Sequence, residues 1–105
     1  MFDYAVVDTI VDIVVREFSP KMVFLFGSVA RHEARDDSDV DIMVVMDTDD
    51  GFKTRPFPIL RRLKAVDVDV DIFVYTPEEY ESKRDDPESF VNRIVRTGRL
   101  LYHRP

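Results

Sequence analysis

LFGSVARHEARDDSDVDIMV, residues 25–44, passes from one apolar stretch to another through a polar interval. A Gly27-Ser28 step follows the first stretch, and Asp39 and Asp41 open the second. Residues two apart on a strand share a face and stand roughly 6.6 Å apart along it. On a strand from Asp39 to Met46, Asp39 and Asp41 therefore project together while Val40, Ile42 and Val44 face the other way. Two ionised carboxylates side by side repel, and burying either is unfavourable. The pattern becomes favourable if a hard cation sits between them, and magnesium suits oxygen donors and leaves positions open for water and phosphate.

Working upstream, Met22–Phe26 is a short continuous apolar run, as expected of a strand buried on both faces. Gly27 allows a close backbone approach to a ligand, and Ser28 offers a hydroxyl at the start of a short helix over 28–34. Amides and a helix dipole at such a place suit a phosphate tail. Residues 3–18 carry Val6, Val7, Ile10, Val11, Val14, Val15 and Phe18 near helical spacing, and Ser19-Pro20 stops that helix.

Downstream, Asp47–Gly51 reads as an acidic solvated turn. It fails as a calcium loop because the glycine falls one place early and Pro58 stands where a bidentate glutamate belongs. Pro56, Phe57, Pro58, Leu60 and Leu63 suggest a short helix with basic Arg61, Arg62 and Lys64. Val66–Ile72 then alternates valine and aspartate strictly, predicting a strand that continues to Tyr75. A third carboxylate for the site can come from this strand, but periodicity alone does not choose among Asp67, Asp69 and Asp71.

Thr76-Pro77-Glu78-Glu79 is a capping-box signature with proline at the first helical position. A last helix is expected from Asp86-Pro87, with Phe90, Val91, Ile94 and Val95 on its apolar face and Gly98 as a left-handed stop. Leu100–Tyr102 closes as a short strand. The order predicts a small α/β (α+β) domain: a mixed sheet of three to four strands with helices packed on it.

Residues 1–105 read as one domain without internal repeat or linker, long enough to bury a core. With no cysteine, disulfides, thiolate catalysis and Cys-type zinc sites are excluded, and His32 and His103 are too few for a histidine-built metal site. The net charge of −6 argues against direct nucleic-acid binding, though not against a nucleotide carried with divalent cations. No apolar run approaches the roughly 20 residues of a membrane span, and no signal-peptide pattern opens the chain, so the expectation is a soluble cytoplasmic protein.

Gly27-Ser28, ten intervening residues, then Asp39-Val40-Asp41, with a later Asp on a valine-rich strand, resembles the nucleotidyltransferase pattern of the DNA polymerase β superfamily. Small size and the segments Val70–Glu79 and Gly98–Tyr102 are similar to its minimal nucleotidyltransferase (MNT) branch, often the antitoxin of a HEPN-domain toxin. The resemblance implies that Gly27 and Ser28 hold the β- and γ-phosphates of ATP and that Asp39 and Asp41 bind magnesium. It also selects Asp71, ahead of Ile72-Phe73-Val74-Tyr75, as the third acid, so that three aspartates hold two Mg2+ ions. Relatives commonly read Ala-Arg-Gly where this chain has Ala30-Arg31-His32, a change in the loop that removes no metal ligand.

The implied reaction moves AMP from ATP to a hydroxyl, with a tyrosine of a HEPN ribonuclease toxin as acceptor. The chain leaves no length for a separate acceptor domain, so a partner is expected to complete that surface in a homo- or hetero-oligomer. Two other functions stay open: a binding module that neutralises a HEPN partner by contact, and nucleotidyl transfer to a small molecule. From the residues alone a solvated face accounts equally well for Asp67, Asp69 and Asp71, and core or interface packing is a better account than base stacking for Phe52, Phe57, Phe73 and Phe90. Tyr75, on the acid-bearing face, is a candidate lining residue.

Overall fold

The structure, a computed structural model, describes all 105 residues. Nine elements follow in order: α1 (Ala5–Phe18), β1 (Met22–Phe26), α2 (Gly27–Ala30), β2 (Val40–Val45), α3 (Pro56–Arg62), β3 (Val70–Tyr75), α4 (Pro77–Lys83), α5 (Phe90–Thr97) and β4 (Arg99–His103). The four strands form one mixed sheet in the order β3-β2-β1-β4. β1 runs antiparallel to both β2 and β4, whereas β2 and β3 are parallel, as a crossover through α3 requires.

Alternation along each strand divides the sheet into two faces with separate cores. On one face Val23, Leu25, Val40, Ile42, Val44, Ile72 and Val74 pack with α1 (Val7, Ile10, Val14), α2 (Val29, Ala30) and α3 (Ile59). On the other, Phe24, Met43, Val45 and Tyr75 meet Tyr80 of α4 and Val91 and Ile94 of α5. Ile10, Val14, Ile42 and Val44 are fully buried, so truncating any of them to alanine would cost about 2–5 kcal/mol for the isoleucines and less for the valines.

Local signals hold where a side chain or a dihedral enforces them. Ser19 takes a left-handed φ of 47° and donates its amide to Val15, ending α1. Thr76 Oγ1 accepts from the Glu79 amide at 3.2 Å and Glu79 Oε1 accepts from the Thr76 amide at 2.8 Å, a complete capping box.

Four expectations shift. The Val-Asp alternation predicts a strand from Val66, yet β3 begins at Val70, because its neighbour β2 begins at Val40 and pairs Val40 with Val70. Residues 66–68 instead form a bend closed by the Val66 amide on the Leu63 carbonyl. The short helix after Gly27 ends at Ala30 rather than Ala34. The last helix starts at Phe90, where Ser89 Oγ accepts from the Asn92 amide at 2.9 Å, and not at Asp86-Pro87. Gly98 is not left-handed, with φ −93°. Its need for glycine is close approach: a Cβ there would stand 2.6 Å from the Leu25 carbonyl and 2.7 Å from that of Ile94.

Candidate active site

At the end of the sheet where β1 finishes and β2 and β3 begin, three strand residues fall in one row. Phe26 pairs with Asp41, and Asp41 pairs with Asp71. Cross-strand partners share a face, so both carboxylates project on the α4–α5 side of the sheet. Asp41 is half-buried and Asp71 exposed. Asp39, expected on the strand, lies one residue before β2 and is exposed.

Electrostatics show how tightly the acids are grouped. The Asp41 carboxyl is pushed up from 3.8 to about 6, first by burial, then by the charge and hydrogen bonding of Asp71 and the charge of Asp39, against the opposing pull of Arg31. Asp41 and Asp71 thus form a pair in which the charge of Asp71 opposes ionisation of the Asp41 carboxyl. As the side chains stand, no three His, Asp or Glu groups converge with metal-ligand spacing. Asp39 acts on Asp41 from longer range.

Gly27 has a φ of 77°, a left-handed conformation that glycine adopts freely. It lies against the Asp41 carboxylate so closely that a Cβ would overlap its Oδ2 and stand 3.1 Å from its Cγ. The Gly-Ser step and the second aspartate are therefore in direct contact. Ser28 follows, half-buried, its carbonyl accepting from the amides of Arg31 and Glu33 at 3.2 and 2.9 Å. Because α2 is a single turn, its backbone amides and the Ser28 hydroxyl, rather than a sustained helix dipole, are what it offers to an anion.

The loop after α2 keeps a glycine-like shape. His32 takes a φ of 57°, its ring lies 5.1 Å from that of Tyr4, and its Nε2 is 3.4 Å from an Arg99 nitrogen. Asp67 and Asp69 fall outside the strand and the row. Their carboxylates line a shallow acidic bowl with Asp36 and Asp37 instead. Tyr75 does lie on the acid-bearing face but is 8% exposed, a core residue four positions beyond Asp71.

Arg31 reaches the field of Asp41, a position that follows from its lying one turn after Ser28. Two further features were not foreseen from the residues. Phe26, Phe73 and Phe90 close into an aromatic triangle with ring centroids 5.4–5.8 Å apart, beside the carboxylate pair. Arg55, 10% exposed, bonds Glu79 Oε1 at 2.7 Å, the Val74 carbonyl at 3.2 Å and the Asp50 carbonyl at 2.9 Å. It ties the acidic loop to the start of α4 and covers a carbonyl on the outer edge of β3. Nothing in its sequence surroundings marks it.

Comparison with known proteins bears on the family and the fold. Residues 8–105 match the family model described as Polymerase beta, Nucleotidyltransferase. A protein from Sulfolobus solfataricus assigned as a nucleotidyltransferase shares the fold with a TM-score of 0.65 and 24% identity, over 96% of this chain and 80% of that one. A toxin–antitoxin structure with AMP-PNP superposes with a TM-score of 0.62 and 24% identity, over 98% of this chain and 75% of that one. No curated protein sequence matches significantly. No helix is long and apolar enough to cross a membrane. With the family model spanning the Gly27-Ser28 corner, the Asp41–Asp71 pair and all four strands, the chain belongs to the polymerase β nucleotidyltransferase family.

Proposed function

We propose that this protein transfers AMP from ATP to a hydroxyl group in a magnesium-dependent reaction, and that the acceptor is a tyrosine of a HEPN-domain toxin. The observation that carries the reading is the contact of Gly27 with Asp41, itself the register partner of Asp71. Triphosphate-binding backbone and paired carboxylates then belong to one site. The donor set suits a hard divalent ion: Asp41 and Asp71 are oxygen ligands whose mutual repulsion a cation would relieve, and Asp39 adds its charge from longer range.

In this reading Gly27 and Ser28 hold the β- and γ-phosphates, leaving the α-phosphorus over the carboxylate row. Asp39, Asp41 and Asp71 would hold magnesium, two ions with the nucleotide, which would supply the positive charge that offsets the triphosphate. Asp71, at the outer position of the row, takes up the acceptor proton. The acceptor oxygen bonds to the α-phosphorus, the bridging bond to the β-phosphate breaks, and pyrophosphate leaves. Arg31 adds positive charge on the Asp41 side.

The toxin partner draws on the MNT resemblance; the structural neighbour solved as a toxin–antitoxin assembly with AMP-PNP is consistent with it. The test incubates the protein with labelled ATP, magnesium and the product of the neighbouring reading frame. Label should appear on a partner tyrosine and vanish with Asp39→Ala plus Asp41→Ala. Neutralisation of the partner that survives this double substitution would favour a contact module, and label passing only to small hydroxyl compounds would favour the third reading.

A further inference from the structure

Two large aromatic side chains on the carboxylate side of the sheet remain open to solvent, Phe52 at 46% and Phe90 at 38% exposure, and both line one cleft of about 520 Å3. That volume lies within the range of small-molecule sites, roughly 300–1,000 Å3. Phe90 opens α5 and stands edge-on to Phe26 and Phe73, with centroids 5.5 and 5.4 Å away. Phe52, from the loop after β2, rests on Tyr75 at 5.3 Å with the Arg55 guanidinium 5.7 Å from its ring.

None of the row's residues lines the cleft; the two are linked through Phe90, which lines the cleft and touches Phe26 and Phe73. Phe26 immediately precedes Gly27 and is the register partner of Asp41, and Phe73 follows Asp71 by two residues on the same face. The aromatic surface therefore starts one pleat, roughly 6.6 Å, from the acids. Several polar groups at the cleft are already engaged. Glu79 is held by Arg55 and the Thr76 amide, and the Ser89 hydroxyl serves the Lys83 carbonyl and the Asn92 amide. What remains is π-surface suited to a flat ring, with Lys83 and Asp86 as the charged residues of the lining.

Resting on the reading that Asp41, Asp71, Gly27 and Ser28 take the phosphates of a nucleotide, we propose that its nucleobase stacks on Phe90 in this cleft, with Phe52 as the facing wall. An acceptor side chain fits less well. Its hydroxyl must reach the α-phosphorus at the acids themselves, whereas none of the acids lines the cleft.

The test titrates AMP-PNP and inorganic triphosphate, each with magnesium, into the wild type and the Phe90→Ala, Phe52→Ala and Phe57→Ala variants. Phe57 is an exposed control on α3, which packs on the opposite face. Phe90→Ala should weaken AMP-PNP roughly 5- to 100-fold, the range of one lost base stack, while triphosphate affinity stays within about twofold. Phe52→Ala should act in the same direction and Phe57→Ala should change neither ligand. Phe90→Trp, in a chain without other tryptophan, should keep AMP-PNP affinity and change its emission with AMP-PNP but not with triphosphate. Unchanged AMP-PNP binding in Phe90→Ala, equal loss of both ligands, or a silent Phe90→Trp at saturation would overturn the stacking proposal and leave the phosphate site standing. A wild type that binds neither ligand would instead remove the nucleotide reading itself, and this proposal with it.

Discussion

Asp41 and Asp71 are direct register partners on parallel neighbours, and Asp71 adds to burial in raising the Asp41 carboxyl. In the metal-free protein this pairing has a definite pH signature. The folded-state value of Asp41, about 6, lies above the 3.8 of an unperturbed aspartate. Between those values the native state therefore holds a proton that the unfolded chain has lost, and stability falls as pH rises through the window. Because solvent screens the half-exposed side chain, the fall is on the order of 1 kcal/mol. Chemical denaturation in chelator at pH 4 and pH 7 should show it, and Asp41→Asn should flatten it. A slope of equal size in Asp41→Asn would assign the effect to other groups.

Gly27→Ala should fail on two independent grounds. Its φ of 77° is strained for alanine by roughly 1–2 kcal/mol, and the new methyl would overlap the Asp41 carboxylate. The expected result is a destabilisation of about 2 kcal/mol or more together with weaker magnesium–nucleotide binding. Thermal melting with and without AMP-PNP measures both; normal stability and normal binding would contradict the contact.

His32→Gly should do the opposite. His32 holds a left-handed φ of 57°, where glycine carries no Cβ penalty, so the substitution should stabilise the fold by up to about 1 kcal/mol despite losing the Tyr4 and Arg99 contacts. His32 thus stands in a backbone conformation that favours glycine. A lower melting temperature for His32→Gly would show that the ring contacts outweigh the strain.

What could be read from the chain, and what could not, follows the range of the forces involved. Capping at Thr76 and the stop at Ser19 are local hydrogen bonds and dihedrals, and both are written in adjacent residues. The Val-Asp run misleads by four residues because alternation reports a face, while a strand also needs a neighbour, and β2 supplies none before Val40. At the site, spacing brings out Asp39, Asp41 and Gly27, but the selection of Asp71 over Asp69 came from family resemblance. Structurally it is the partner of Asp41. Arg55 and the Phe26–Phe73–Phe90 triangle join residues distant in sequence, so no short window announces them.

Glu79→Gln should loosen the loop that carries Phe52. The Glu79 carboxyl is held below its ordinary value chiefly by Arg55 and then by the Thr76 amide. Removing its charge leaves the 10%-exposed Arg55 without its counter-ion, at a cost of about 2–3 kcal/mol for this partly buried pair. The pair's contribution is present above the unfolded carboxyl value and is lost as pH falls through the lower folded one. Hydrogen exchange should rise in residues 47–55 of the variant; unchanged exchange there would contradict the fastening role.

The central claim is that Gly27, Ser28 and the aspartate row form one magnesium–nucleotide site, and calorimetric titration of AMP-PNP tests it most directly. The account predicts binding in magnesium that disappears in chelator and in the Asp41→Asn plus Asp71→Asn variant. Binding that is indifferent to both magnesium and the two substitutions, or no binding by the wild type at all, would contradict it.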